Sequence, residues 1–365
     1  MPVPYREPLF RALAERGRIA PHVVYLAGGQ AGWDQPPEWF SSAEGYSSEV
    51  LEAWQRRRPG RAPVTFARGL GRALSAAEPD CVVSWEFGPA TLRALAWARR
   101  RGVPVAIFSE LTPWSDSALS RLQRLTHRVL APRASGFIVA SSQGVERLRG
   151  LGVEAERIEV AIQSADLAPL RGTAEGPPEG PPEGGPVRIL AVGRLVPDKN
   201  LERLIAAFAQ AGFEPGEAEL ELRGTGPLEA ALRAHAERLD APVRFPGPVT
   251  PAELAGVYRS AHVLALVSTY EPFGVTLREG AAAGLPLLAS RRAGATGDVA
   301  VDGENALVVA PEDVAQMADA LRRLVREREL RERLAAGSRA VTERHPPAAD
   351  AEAWERAIAR AVERG

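Results

Sequence analysis

Between Val187 and Val309 short apolar runs alternate with amphipathic stretches, and few architectures accept that pattern. The runs Val187–Val192, Leu220–Arg223, Val243–Phe245, His262–Val267, Leu285–Ala289 and Ala306–Val309 read as strands. The later runs, from Val263 to Val267, Leu285–Ala289 and Ala306–Val309, are apolar at successive positions rather than at every second one, so both faces of their sheet must be covered. Leu201, Leu204, Ile205 and Phe208, between the first two runs, share one face of a helix that Asn200 is placed to cap. Strands alternating with helices in this way predict an α/β, doubly wound, Rossmann-like domain with a parallel sheet.

The first half repeats the pattern, with strands at His22–Leu26, Cys81–Trp85, Val105–Phe108, Phe137–Ala140 and Ile158–Ile162. It opens on a helix, Tyr5–Arg16, and Pro2 and Pro4 argue against a central strand before it. The first strand of this domain is therefore expected to be missing or to lie upstream. From Ala27 to Pro63 no period is clear, which suits a long loop, functional or irregular. The stretch LRGTAEGPPEGPPEGGP, Leu170–Pro186, holds too little apolar surface to offset the entropy of ordering it and reads as a linker. The expected division is a first domain over 1–169, the linker over 170–186 and a second domain over 187–345. A last helix over 346–365 either closes the second domain or crosses back to the first. A chain of 365 residues suits two such cores.

Basic and acidic residues, 45 and 46, nearly cancel to a net charge of -1, so bulk binding to nucleic acid is not expected. Cys81 is the only cysteine, which excludes an internal disulfide and a cysteine-based zinc cluster. No apolar run approaches the roughly 20 residues needed to span a bilayer, and no signal segment opens the chain. A cytoplasmic protein is the simplest expectation. Arginine clusters such as Arg99–Arg101 leave open a peripheral contact with the inner membrane face. H-E-x-x-H, G-x-S-x-G, Walker and D-x-D patterns are absent, so no metal is expected.

Chemistry gathers at the carboxyl ends of the second-half strands, the edge where parallel α/β sheets bind ligands. The stretch Ser268–Ser290, STYEPFGVTLREGAAAGLPLLAS, places Glu271 in a loop and Glu279 on the following helix. Between them the amides of Phe273, Gly274 and Val275, with Thr276 in the same turn, form a helix start suited to phosphate. Two carboxylates around an anion seat match a diphosphate with a sugar on either side, although a capping Glu271 and a solvated Glu279 would fit the spacing equally. GRLVPDKN, Gly193–Asn200, adds a glycine turn with Arg194 and Lys199, the only lysine of the chain. RGTGP adds Gly224 in a third turn. In the first half, Glu86 and Glu110 follow strands, His127 lies on a helix among arginines, and Trp33, Trp39, Trp85 and Trp114 fall mostly in loops.

Together ILAVGRLVPDKNLERLIAAF, RGTGPLEAAL, EPFGVTLREGAAAGLPLLAS and GATGDVAVDGENALVVAP resemble glycosyltransferase family 4, whose members have the GT-B architecture of two facing Rossmann-like domains and retain anomeric configuration. The spacing of Glu271 and Glu279 carries most of the likeness. The resemblance implies that Glu271 faces a donor sugar while Arg194 and Lys199 neutralise the diphosphate; these three are the candidate catalytic residues. It also implies that Glu279 holds ribose hydroxyls and that Gly193, Gly224, Phe273, Gly274, Val275 and Thr276 contact the donor. No cofactor follows beyond the nucleotide-diphosphate sugar as co-substrate. The implied acceptor is a hydroxyl of a glycan, a lipid-linked or a small molecule, with Glu86, Glu110 and His127 as acceptor-side candidates in the cleft. The first strand and the usual first-domain histidines are absent. That keeps two other readings open: a catalytically silent nucleotide-sugar binder, and a GT-B epimerase or hydrolase.

Overall fold

The computed structural model describes residues 6–29, 45–58, 61–163, 165, 167–171 and 184–365. Pro2, Pro4, Trp33, Trp39 and most of the Leu170–Pro186 stretch lie outside the described residues. The chain forms two compact units, the first reaching residue 166 and including Pro346–Gly365, the second running from Leu167 to His345.

In the first unit α1 (Glu7–Arg16) precedes β1 (His22–Tyr25), which pairs in parallel with β2 (Ser47–Val50). Among the described residues no strand precedes α1. The region that showed no period instead holds β2 and an antiparallel hairpin of β3 (Ala53–Arg58) and β4 (Arg61–Ala67). The physical reason is exposure. Trp54 and Phe66 oppose one another across the hairpin with ring centroids 5.6 Å apart, yet are 60% and 44% exposed. A ribbon with its large apolar residues in water has no inward face to print an alternation on the sequence.

The rest of this unit is βα repeats: α2 (Leu70–Ala77), β5 (Val82–Trp85), α3 (Pro89–Arg99), β6 (Val105–Ser109), α4 (Arg121–Leu130), β7 (Gly136–Val139), α5 (Ser142–Gly150) and β8 (Ile158–Val160). β5 to β8 form a parallel sheet in that order, with Ala106, Ile107, Ile138 and Val139 fully enclosed.

The second unit contains β9 (Val187–Val192), α6 (Leu201–Ala211), β10 (Ala218–Arg223), α7 (Glu229–Arg238), β11 (Val243–Gly247), α8 (Pro251–Arg259), β12 (Val263–Leu266), α9 (Val275–Ala282), β13 (Leu287–Ser290), β14 (Ala306–Val309), α10 (Val314–Arg326) and α11 (Arg328–Arg344). Its six strands are all parallel in the order β11-β10-β9-β12-β13-β14. Leu204, Ile205 and Phe208 of α6 are buried in the same core as Leu220 and Leu222 of β10, as their helical spacing requires. The last helix, α12 (Pro347–Glu363), belongs to the first unit. Trp354 stacks on Phe108 at 5.3 Å, Glu355 pairs with Arg16 at 2.8 Å, and Arg360 bonds Glu159 at 2.7 Å.

Candidate functional site

Strand order decides where the second unit opens. Counted from β9, the sequence of strands runs outward through β10 and β11, then returns to β12 on the other side of β9. The loops leaving β9 and β12 therefore turn apart and leave a crevice at their carboxyl ends. A shallow, open recess lies there, lined by Gly193, Arg194, Leu195, Lys199, Arg223 and Val267 among others.

Three loops are pinned around it. Lys199 Nζ bonds a carboxylate oxygen of Glu271, and Ser268 Oγ donates to the same oxygen at 3.1 Å. The Thr269 amide donates to the Asp198 carbonyl at 2.9 Å. Asn200, expected to cap α6, makes no side-chain cap bond; its backbone has a φ of +59°. Its buried side-chain amide instead donates to the carbonyls of Val267 at 3.0 Å and Pro311 at 2.6 Å, tying the loops after β9, β12 and β14 together. Arg194 is exposed on the Lys199 loop. The loop after β10 approaches so closely that a Cβ on Gly224, at φ +141°, would stand 1.8 Å from the Gly193 carbonyl oxygen. The amide of Leu195 closes the contact on the Thr225 carbonyl at 2.9 Å.

Helix α9 begins at Val275 behind Gly274, whose φ of +98° turns the chain into the helix. The cap is thus Gly274, and Glu271 is free to pair with Lys199. First-turn amides have no partner inside their own helix. Thr276 adds a buried hydroxyl oxygen with no partner among the described residues. Such an orphan costs about 1–3 kcal/mol unless a ligand satisfies it. One helix turn onward, Glu279 is partly buried rather than solvated, and Tyr258, fully enclosed on α8, donates its hydroxyl to Glu279 Oε2 at 2.6 Å. Burial raises the Glu279 pKa and the Tyr258 bond partly offsets this; burial also raises the tyrosine's, keeping it a donor. The Tyr258 bond takes up one of the two oxygens of Glu279. Sequence reasoning missed Tyr258 and the bridging role of Asn200, because nothing in local spacing marks a partner many residues away. It missed Ser268, three residues before Glu271, because the turn that brings the two together is not written in the spacing.

In the first unit Glu86 and Glu110 adjoin at the carboxyl ends of β5 and β6. Glu86, at φ +56°, accepts from Ser109 Oγ at 2.8 Å and from the Glu110 amide at 2.6 Å. Arg6 donates to Glu110 at 3.3 Å with its guanidinium 3.8 Å from the centre of the Trp85 ring. His127 is not part of this group. It is 5% exposed, stacked on Phe87 at 4.6 Å, and its Nδ1 accepts from Arg147 at 2.6 Å. Burial and the Arg147 charge lower its pKa to about 4, so it is neutral and structural.

Burial raises the Glu86 pKa to about 7 from an ordinary 4.5. The folded form therefore holds this proton more tightly than the unfolded chain. The resulting stability is present below about pH 4.5 and is lost as pH rises through about 7. Glu86→Gln keeps the acceptor for the Glu110 amide and can donate to Ser109. It should flatten the fall in melting temperature between those pH values, recovering about 1–3 kcal/mol at the alkaline end. Parallel melting-versus-pH curves for the two proteins would expose a Glu86 that does not titrate.

Among the described residues no group of three or more His, Cys, Asp and Glu side chains could hold a metal ion, and no helix is long and apolar enough to cross a membrane. The family model for glycosyl transferases group 1 matches residues 175–341, and that for the glycosyl transferase 4-like domain matches residues 2–161. Through these two models, which take in both halves, the chain belongs to the family 4 type of glycosyltransferases. It is 31% identical to a glycogen synthase of Mycobacterium tuberculosis over 212 residues, 57% of this chain and 50% of that protein. It is likewise 31% identical to a D-inositol 3-phosphate glycosyltransferase of Corynebacterium efficiens over 233 residues, 60% and 55% of the two chains. The chain thus spans about half the length of the curated relatives it matches. Its fold is that of Anabaena HepE, solved in complex with UDP, with a TM-score of 0.74 over 93% of this chain and 91% of that one at 19% identity. The architecture is GT-B, with two Rossmann-like domains.

Proposed function

We propose that the chain transfers a sugar from a nucleoside-diphosphate sugar to an acceptor hydroxyl of a glycan, a lipid-linked or a small molecule, with retention at the anomeric carbon and without a metal ion. The observation that carries the reading is the Lys199–Glu271 ion pair at the strand-order reversal, beside the start of α9 and an orphaned Thr276 hydroxyl. A diphosphate seated on the first turn of α9 would gain the helix dipole and the Lys199 ammonium, with Arg194 reaching it from the same loop. Glu271 would face the sugar, and Glu279, held by Tyr258, would accept from ribose hydroxyls. Stabilising the departing diphosphate is the main contribution these groups can make, and the leaving oxygen would take the acceptor proton. That UDP occupies the Anabaena protein of the same fold supports a nucleotide at this edge.

Thermal shift with UDP, GDP, ADP and TDP tests the reading. One of them should raise the melting temperature of the wild type, since about 2.7 kcal/mol accrues at a hundredfold excess over Kd. Glu279→Ala should weaken that nucleotide by about tenfold to a hundredfold, the worth of a hydrogen bond to a charged group. Equal shifts in both proteins would remove Glu279 from the site.

A further inference from the structure

We propose that α4 docks the first unit on an anionic lipid bilayer. The helix is well anchored: Ser120 Oγ accepts from the Gln123 amide at 3.2 Å, and Gln123 Oε1 accepts from the Ser120 amide at 3.0 Å. Yet it is turned inside out. Its buried residues are His127 and Leu130, while Leu122, Leu125 and Val129 are 72%, 57% and 42% exposed. At about 100° per residue those three fall within an arc of about 60°, and Arg121, Arg124 and Arg128, all exposed, form a row on the neighbouring arc. Trp114, a short way upstream, is 40% exposed.

The segment that carries this face has charge of one sign. Between Asp116 and Glu146 the chain carries no carboxylate, only Arg121, Arg124, Arg128, Arg133 and neutral residues, although acidic and basic residues nearly cancel over the whole protein. Arg124 donates to the carbonyls of Asp116 at 3.1 Å and Leu119 at 2.8 Å, which orients it without removing its charge. An apolar stripe beside a row of cations fits the boundary between acyl chains and phosphate headgroups: the leucines and valine enter, the guanidinium groups meet phosphates, and an indole suits the same depth. A second copy of the chain fits less well, because pairing two such stripes brings two arginine rows together with no carboxylate on α4 to neutralise them. The docking would present the protein to acceptors carried on lipid, and it stands independently of the nucleotide reading.

The test is co-sedimentation of the full chain with vesicles of equal parts phosphatidylglycerol and phosphatidylcholine, against vesicles of phosphatidylcholine alone. Binding is expected to the first and not the second, and to weaken once salt shortens the Debye length to about 3 Å. Leu122→Ser with Leu125→Ser, and separately Arg121→Glu with Arg128→Glu, should each lower the partition coefficient at least about tenfold while leaving nucleotide thermal shifts and the melting temperature unchanged. Absence of binding to the anionic vesicles overturns the proposal, as does binding that both double variants retain. So does light scattering that shows a wild-type dimer which the leucine variant dissolves, since the stripe would then be a contact between copies.

Discussion

Lys199→Ala is expected to lower kcat by about 10²- to 10³-fold with a much smaller change in donor KM. Its ammonium lies within the crevice, and its work would be greatest when charge collects on the departing diphosphate, so removing it costs about what the loss of one preorganised oxyanion partner costs elsewhere. The same change strands the Glu271 carboxylate, which among the described residues keeps only the Ser268 hydroxyl as a side-chain donor. Glu271→Gln separates the two effects, since it leaves the cation and removes its partner's charge. Arginine should rescue Lys199 poorly. The lysine stem runs over the bare Cα of Gly193, where a Cβ would already lie 3.4 Å from Lys199 Cε, and a planar guanidinium fork does not reproduce the compact point charge of an ammonium. Steady-state kinetics on the three variants decide the matter; a Lys199→Ala protein with wild-type kcat would remove the ion pair from the chemistry.

The second large effect is on stability. Gly224→Ala would place a methyl group 1.8 Å from the Gly193 carbonyl oxygen at a φ of +141°, so the loops after β9 and β10 must separate. Overpacking and backbone strain together should cost about 3 kcal/mol, a fall of about 10 °C in melting temperature for a unit of this size. Because the displaced loop carries Lys199, nucleotide affinity should fall as well. Gly256→Ala is the control: it lies in α8 with nothing within 4 Å of the added carbon, and alanine there should be neutral or stabilising by up to about 1 kcal/mol. Similar melting temperatures for the two variants would mean that the loop contact is loose.

Much of this was legible in the residues. Strands buried on both faces are apolar at successive positions, so β6, β7, β12 and β13 stand out in the sequence, while the edge strand β11 alternates. The α6 face is written in the spacing of Leu201, Leu204, Ile205 and Phe208. The β3–β4 hairpin left no such trace, because its aromatic pair faces solvent and nothing forced an alternation. Asn200 looked like a helix cap, since a side chain's local and distant partners compete on geometry that spacing does not contain.

The sequence by itself determined the class of fold and the residue types at the carboxyl edge of the second sheet, because both follow from short-range patterns: apolar period, glycine turns, and two glutamates set by one loop and one helix. Only the tertiary structure decided which of those groups meet. Lys199 and Glu271 are 72 residues apart, and Tyr258 and Glu279 are 21 apart. They are joined by a strand order that reverses between β9 and β12, and by a helix whose depth in the core settles which hydroxyl is left to face a carboxylate. Those contacts depend on the packing of the whole sheet, which no local stretch of chain encodes.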